Sequence, residues 1–358
     1  MLERQERPLR IGVRDLAEIA DKLPLGRAAL DCLRRRGAAV FMFHRVLPRG
    51  ESCYADEMVT STGMFEALLD WISERYVVVD LGALAQRLGS APANGRPYAA
   101  ITFDDGWKDL FPHALPLLRA RSMPATVFLP VRFIGTKRHF WQERLHFILQ
   151  SLQGLGRTDL GREAAPHFPW AARLDGQLDY AGLRGLLMAR PSSEAEEFVD
   201  WMAELCPRAQ WDSTRAFLTW DEVARMQDAG ISFGSHTLNH VLLTQADAET
   251  ARTEIQCSRR ELQERLNTPV RGFAYPWGAH NARLVQQVTD AGYAFAVTTE
   301  EMLVRGAPSP WRIPRVFISD TIVQDGNGSF GPQQTNFHLA RLGLRRQSTS
   351  GELVDYEK

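Results

Sequence analysis

Short apolar runs alternate along the chain with longer stretches whose apolar residues recur every three or four positions. The runs are "AAVFMF" before His44, "YAAITF" before Asp104, "PATVFLPV", "ISFGS" before His236, "VRGFAY", "YAFAVTT" and "RIPRVFI". The stretches between them include "FEALLDWISERY", "ALPLLRARS", "WDEVARMQDAG", "AETARTEIQCSRRELQERLN" and "NARLVQQVTDAG". The first pattern predicts buried strands and the second amphipathic helices. Gly230 and Gly292 follow two of these helices, where a glycine stops a helix. Strand and helix in alternation predict right-handed βαβ units and a parallel sheet. About seven strands of this kind suit a closed or nearly closed α/β barrel. A doubly wound open sheet is the alternative architecture.

Three segments stand outside the alternation. Residues 10–36 carry Leu16, Ile19, Ala20, Leu23, Leu30 and Leu33 at roughly helical spacing. They predict a docking helix, with peripheral membrane contact as the weaker alternative. Residues 138–216 hold helical patches, several tryptophans and the Pro-bounded piece "HFPWAARLDG". They predict an insertion packed over or beside the barrel mouth. From Ser319 the chain is rich in Gly, Gln and Ser, and a partly mobile tail is expected. The organisation is therefore an N-terminal helical segment 1–37, a barrel 38–318 with its insertion at 138–216, and a tail 319–358.

Composition narrows the function. The 358 residues are 44% apolar and 24% charged, which allows a sizeable core. Basic and acidic residues number 42 and 43. That balance argues against nucleic acid as a partner, because no basic excess exists to neutralise phosphates. The four cysteines are scattered with no C-x-x-C pair, which fits a reducing compartment. The N-terminus "MLERQERPLRIGVRDL" carries charges where a secretory signal has its apolar stretch. No apolar run is long enough to span a bilayer. A cytoplasmic protein is the expectation.

Polar residues of the kind that hold metals and move protons follow the strands. His44 ends the first. Asp104 and Asp105 end the next, in "TFDDG". His236 and His240 lie in "HTLNH", and "YPWG" at 275–278 follows a further strand. In parallel α/β folds that edge of the sheet is where active sites form. Two adjacent carboxylates at a buried strand end are costly unless something offsets their repulsion. Two histidines and a carboxylate around a divalent cation, with one open position, form a catalytic zinc arrangement; cobalt, nickel or iron also suit it. The second carboxylate is then free to act as a general base. No G-x-S-x-G elbow is present, which argues against a serine esterase.

"TFDDG" (102–106), "HTLNH" (236–240) and "RGFAYPWG" (271–278) together resemble the polysaccharide deacetylase family, carbohydrate esterases that share the fold of the nodulation chitooligosaccharide deacetylases. The resemblance covers roughly residues 38–318. It implies a distorted (β/α) barrel and hydrolysis of the acetyl group from an N-acetylated sugar. It further implies Asp104 as general base, Asp105, His236 and His240 as metal ligands, and Thr237 as the brace of their loop. The Pro276–Trp277–Gly278 turn resembles the one that lines the acetyl pocket, with the Trp277 N–H as oxyanion donor. Tyr275 and Pro276 are read as substrate-binding.

Two features depart from the common pattern. No strand-ending Leu-x-His follows residue 280, whereas "FMFHRV" places His44 ahead of the first motif. That order resembles the circularly permuted poly-N-acetylglucosamine deacetylases and makes His44 the general-acid candidate. The arginine that orients the base is Ala274 here. Arg271 is taken in its place, with Arg312 and Arg315 as alternatives. Trp141 is a candidate for stacking on a sugar ring, core packing of the insertion being the other reading. The expected partner is an N-acetylated glycan or glycan precursor. Rival functions are a deformylase or other amidase on the same fold, or a non-catalytic carbohydrate-binding scaffold.

Overall fold

The structure is a computed structural model. It describes residues 37–345 apart from 52, 90–94, 155–159, 175–178, 207–214 and 307. The helix expected within residues 10–36 lies outside the described residues, as does the end of the chain from residue 346.

Ten strands are described: β1 (Ala39–Phe43), β2 (Arg45–Leu47), β3 (Val59–Ser61), β4 (Val77–Val78), β5 (Tyr98–Phe103), β6 (Thr126–Leu129), β7 (Ser232–Ser235), β8 (Gly272–Ala274), β9 (Phe295–Glu301) and β10 (Ile313–Phe317). Seven of them, β1 and β5 to β10, close a parallel barrel. Each of β5 to β10 pairs with the next, and β1 pairs with both β10 and β5. The expectation of a closed barrel rather than an open sheet therefore holds. β4 pairs with the start of β5, and β2 and β3 form a small parallel sheet of their own.

Strand alternation sorts the side chains. Val40, Ala100, Phe128, Ala274, Phe295, Val297 and Ile313 fill the barrel interior. Their neighbours Phe41, Phe43, Ile101, Phe103, Phe273 and Val316 face the surrounding helices. The helix Thr62–Arg75 shows how those helices dock. It buries Phe65, Leu68, Leu69 and Ile72, one stripe at helical spacing, against that outer layer.

The insertion is helical as expected, with helices Trp141–Gly154, Leu160–Ala164, Tyr180–Met188 and Ser192–Glu204. It builds a core of its own around Leu145, Ile148, Leu183, Leu187, Phe198 and Met202. Trp141 belongs to that core and is only 7% exposed. A ring buried there has no free face for a sugar, so the stacking candidate is corrected to a packing residue.

Through residue 345 the tail is folded. Asp320–Val323 and Pro332–Leu342 are helices, and Val323, Leu339 and Leu342 join the barrel's outer core. The docking stripe is Thr335, His338, Leu339 and Leu342, spaced i, i+3, i+4 and i+7. Two of its four members are polar, so the apolar pattern alone does not reveal it.

His338 has a consequence for stability. Its Nε2 lies 3.8 Å from Glu301 Oε1, beyond hydrogen-bond range. Burial, aided by Arg341 and Arg345, pushes the imidazole down to about 4. A histidine kept neutral by folding stabilises fully above its unfolded pKa near 6.5, and that contribution drains away as pH falls toward 4. The loss expected is on the order of 3 kcal/mol. Urea unfolding at pH 7, 5.5 and 4 should show a shallower fall for His338→Gln than for the wild type. His44, equally depressed, keeps part of the slope in both.

Candidate active site

The barrel brings the strand ends together on one edge. β1 and β5 pair in register from Ala39↔Ala99 to Phe43↔Phe103, so His44 and Asp104 leave the sheet side by side. The Asp104 N–H donates to the Phe43 carbonyl at 3.0 Å. β6 separates β5 from β7, which delivers His236; the loop beyond brings back His240.

Asp105, His236 and His240 converge. Asp105 Oδ1 lies 3.6 Å from His236 Nε2 and 3.3 Å from His240 Nε2. One ligand atom from each residue falls within 4.8 Å of the others. The other atoms of two of these side chains are already committed. Asp105 Oδ2 accepts from Trp107 Nε1 at 3.0 Å. His236 Nδ1 lies 2.8 Å from the Ala274 carbonyl; a carbonyl only accepts, so Nδ1 carries the proton and Nε2 offers its lone pair to the centre. Asp105 Oδ1 is buried and has no hydrogen-bond partner among the described residues. Burial and the Asp104 charge push the Asp105 carboxyl up to about 8. Burial lowers both imidazoles. A buried carboxylate with a spare oxygen beside two neutral imidazole nitrogens fits a divalent cation.

The backbone bends to make this possible. Asp105, Thr237, His240 and Trp277 take φ of 71°, 67°, 54° and 54°, a left-handed region sparse for non-glycine residues. Four such residues around one point mark a site held in place by its surroundings. The Thr237 hydroxyl accepts from the His240 N–H at 2.9 Å, the brace its position implied. Glu254, which sequence reasoning missed, does more. Its Oε2 accepts the N–H groups of Leu238 and Asn239, both at 2.9 Å, and its Oε1 accepts the Asn239 side chain at 2.7 Å. The signal was available: Glu254 stands among Ala251, Ile255, Ser258 and Leu262 on the buried stripe of its helix. Glu254→Ala strands two loop N–H groups and is expected to cost about 3 kcal/mol, with metal affinity falling at least about tenfold. Denaturant unfolding and metal titration measure the two effects separately.

Asp104 is paired with an arginine, but not the one first taken. Arg315 on β10 donates from Nη1 to Oδ1 at 2.8 Å and from Nη2 to Oδ2 at 2.6 Å, with its Nε on the Thr298 carbonyl at 2.8 Å. Arg315 is fully buried. Burial raises the Asp104 pKa, but the charge and hydrogen bonds of Arg315, with His236 and His44, together outweigh it and hold the carboxyl well below its usual range. Arg271 precedes β8, at the opposite end of the barrel, and is exposed. Three residues of strand, roughly 10 Å, separate it from Ala274 at the functional edge. Arg312 donates to His280 Nε2 at 3.0 Å, beside the Pro276–Gly278 turn.

The remaining candidates divide. His44 Nδ1 is buried without a hydrogen-bond partner among the described residues, and burial pushes the ring down to about 4 against the pull of Asp104. The Trp277 ring packs on His240, centroids 4.4 Å apart, and Phe140 stacks on the same imidazole at 4.4 Å. Within its turn Gly278 N–H donates to the Tyr275 carbonyl and Ala279 N–H to Pro276, so these bonds do not use the Trp277 N–H. Gly278 is obligatory there, since a Cβ would lie 2.1 Å from Thr299 Oγ1. Pro276 is buried at the start of this turn. The Tyr275 ring turns away: it is buried in the outer core, with its hydroxyl 3.3 Å from the Trp311 carbonyl. Alternation along β8 sends Ala274 inward and Tyr275 outward, so its side chain is corrected to a packing role.

Comparison with known proteins agrees with this geometry. A family model described as polysaccharide deacetylase matches residues 91–173 and 178–296, more than half of the chain. A protein of Bacillus subtilis (strain 168) named for the polysaccharide deacetylases, YxkH, is 20% identical over 267 residues, 74% of this chain and 68% of its own. The solved structure of the deacetylase PplD of Streptococcus pyogenes, in complex with acetate, matches with a TM-score of 0.53 at 18% identity, over 84% of this chain and 96% of that one. IcaB from Ammonifex degensii matches with a TM-score of 0.54 at 17% identity, over 85% and 97%. At such identities the two structures speak for the fold alone. On the family model's match, with the motif residues gathered at one barrel edge, the chain belongs to the polysaccharide deacetylase family.

Proposed function

We propose that the protein is a metal-dependent hydrolase that removes the acetyl group from an N-acetylhexosamine unit of a polysaccharide, glycolipid or glycan precursor. The observation that carries this reading is the division of two adjacent carboxylates. Asp105 turns a free oxygen to His236 and His240, while Asp104 is kept ionised by Arg315. Asp105, His236 and His240 are the residues that would hold the cation, most simply Zn2+. Bound there, such a cation supplies a polarised carbonyl and an attacking water of lowered pKa. With the site loaded, Asp104 would serve as the base that takes a proton from a water adding to the acetamide carbon. The Trp277 N–H donates to the oxygen that gains charge. The C–N bond then breaks, and the sugar amine leaves with a proton delivered by His44. His44 is neutral at rest, so that proton is gained within the cycle, from Asp104 beside it. Acetate and free amine are the products.

The test is acetate release from a panel of N-acetylated glycans, alongside bound-metal content. Chelation is expected to abolish turnover, and metal to restore it. His44→Ala is expected to keep its metal and lose about a hundredfold or more in rate; an unchanged rate removes His44 from the mechanism. Formate release in place of acetate redirects the reading to a deformylase, and no product with any glycan leaves a binding scaffold.

A further inference from the structure

We propose that Trp107 is a positioning residue for Asp105, and that the two stems of the helical insertion clamp it. This rests on reading Asp105, His236 and His240 as a metal centre. A carboxylate has two equivalent oxygens and turns readily about its Cβ–Cγ bond. One oxygen faces the two imidazoles only if something holds the other. Trp107 Nε1 does so at 3.0 Å. An indole N–H is a donor only, so it can take one oxygen without competing as a ligand.

The indole cannot easily shift. It is fully buried. Phe217 stacks on it at 4.7 Å and 22°, Phe140 meets it edge-on at 5.4 Å, and the Arg45 guanidinium lies over its face at 4.6 Å. Arg45 is fixed in turn by Asp109, which accepts from its Nε at 3.0 Å and Nη2 at 2.8 Å and from the Val46 N–H at 2.9 Å. The backbone is pinned as well: Trp107 forms an antiparallel bridge with Phe217, Lys108 N–H donates to the Ala216 carbonyl, and Leu218 N–H donates to Gly106. Phe140 is the residue before the insertion's first helix, and Phe217 follows the insertion. The insertion keeps a separate core, yet both of its ends close on the one ring that aims Asp105. Phe140 also stacks on His240, so the same stem touches a second ligand.

Trp107→Phe keeps an aromatic ring in the cluster and removes the N–H donor. Zn2+ affinity by chelator competition is expected to fall about 10- to 100-fold, and the Co2+-loaded variant should show an altered visible spectrum, while the metal-free variant stays folded with a lowered melting temperature. A folded variant with affinity within twofold and an unchanged Co2+ spectrum overturns the positioning role. Phe217→Leu loosens the clamp without touching a ligand, and at least threefold weaker Zn2+ binding is expected. An unchanged affinity overturns the clamp, and this variant decides the matter if Trp107→Phe does not fold. A wild type that binds no divalent cation sinks the metal reading itself, a result distinct from equal binding by wild type and variant.

Discussion

Asp104→Asn is expected to lower acetate release about 10²- to 10⁴-fold while leaving the bound metal in place. The change removes the proton acceptor and leaves the three ligand atoms of Asp105, His236 and His240 where they are. The depressed pKa of Asp104 adds a condition. A carboxylate held so low by Arg315 is ionised at every working pH, but it is a weak base. It suffices only toward a water already made acidic, which is what a cation held by Asp105, His236 and His240 would provide. Metal content and rate measured on the same sample separate the outcomes. A variant that loses metal and rate together would assign Asp104 to the ligand set; one that keeps the full rate would remove it from the chemistry.

The largest effect on stability is expected from Arg315→Met. It leaves the Asp104 carboxylate, 2% exposed, without its counter-charge. Breaking one side of a buried ion pair typically costs about 3–5 kcal/mol, because the orphaned charge stays buried. The Asp104 pKa should swing upward, since burial raises it once the guanidinium is gone. The sign follows: the variant's deficit is greatest at neutral pH and narrows as acid protonates Asp104. Asp104→Asn combined with Arg315→Met removes both charges and should recover most of the loss. Urea unfolding of the four proteins closes the cycle. A single variant within about 1 kcal/mol of the wild type would falsify the view that this pair is held by mutual neutralisation.

The barrel and the metal-type triad were legible because they rest on local signals. Short apolar runs, helix stripes and glycine stops specify each βαβ unit from residues near one another in sequence. The motifs sit at strand ends because their strands stop there, which is again local. What escaped was contact between distant strands. Arg315 and Asp104 are 211 positions apart, and nothing near either names the other. One clue stood in "RIPRVF": Arg315 shares a strand face with Ile313, so it points into the barrel, where an unpaired charge is prohibitive. Arg271 sat nearer the motif in sequence, but at the wrong end of its strand. Glu254 and Thr335 escaped for a second reason. Each is a polar residue on a buried helix stripe, which a search for apolar residues passes over. Tyr275 and Trp141 erred the other way: a ring beside a motif invites a ligand, yet strand alternation and the insertion's own core claim them.

The barrel's seam, where β1 lies between β5 and β10, sets a timetable for the ribosome. Arg315 is made some 270 residues after His44, a delay of roughly ten to fifty seconds at ordinary synthesis rates. By the end of that interval the nascent chain owns Asp104, Asp105, His236 and His240, but not the guanidinium that pairs with Asp104. Its first strand likewise lacks a partner along one edge. The last strand therefore delivers the closing ladder and the counter-charge together. A chain that stops before β10 carries the motifs but lacks the guanidinium that Asp104 pairs with, so this ion pair can form only after β10 has been made.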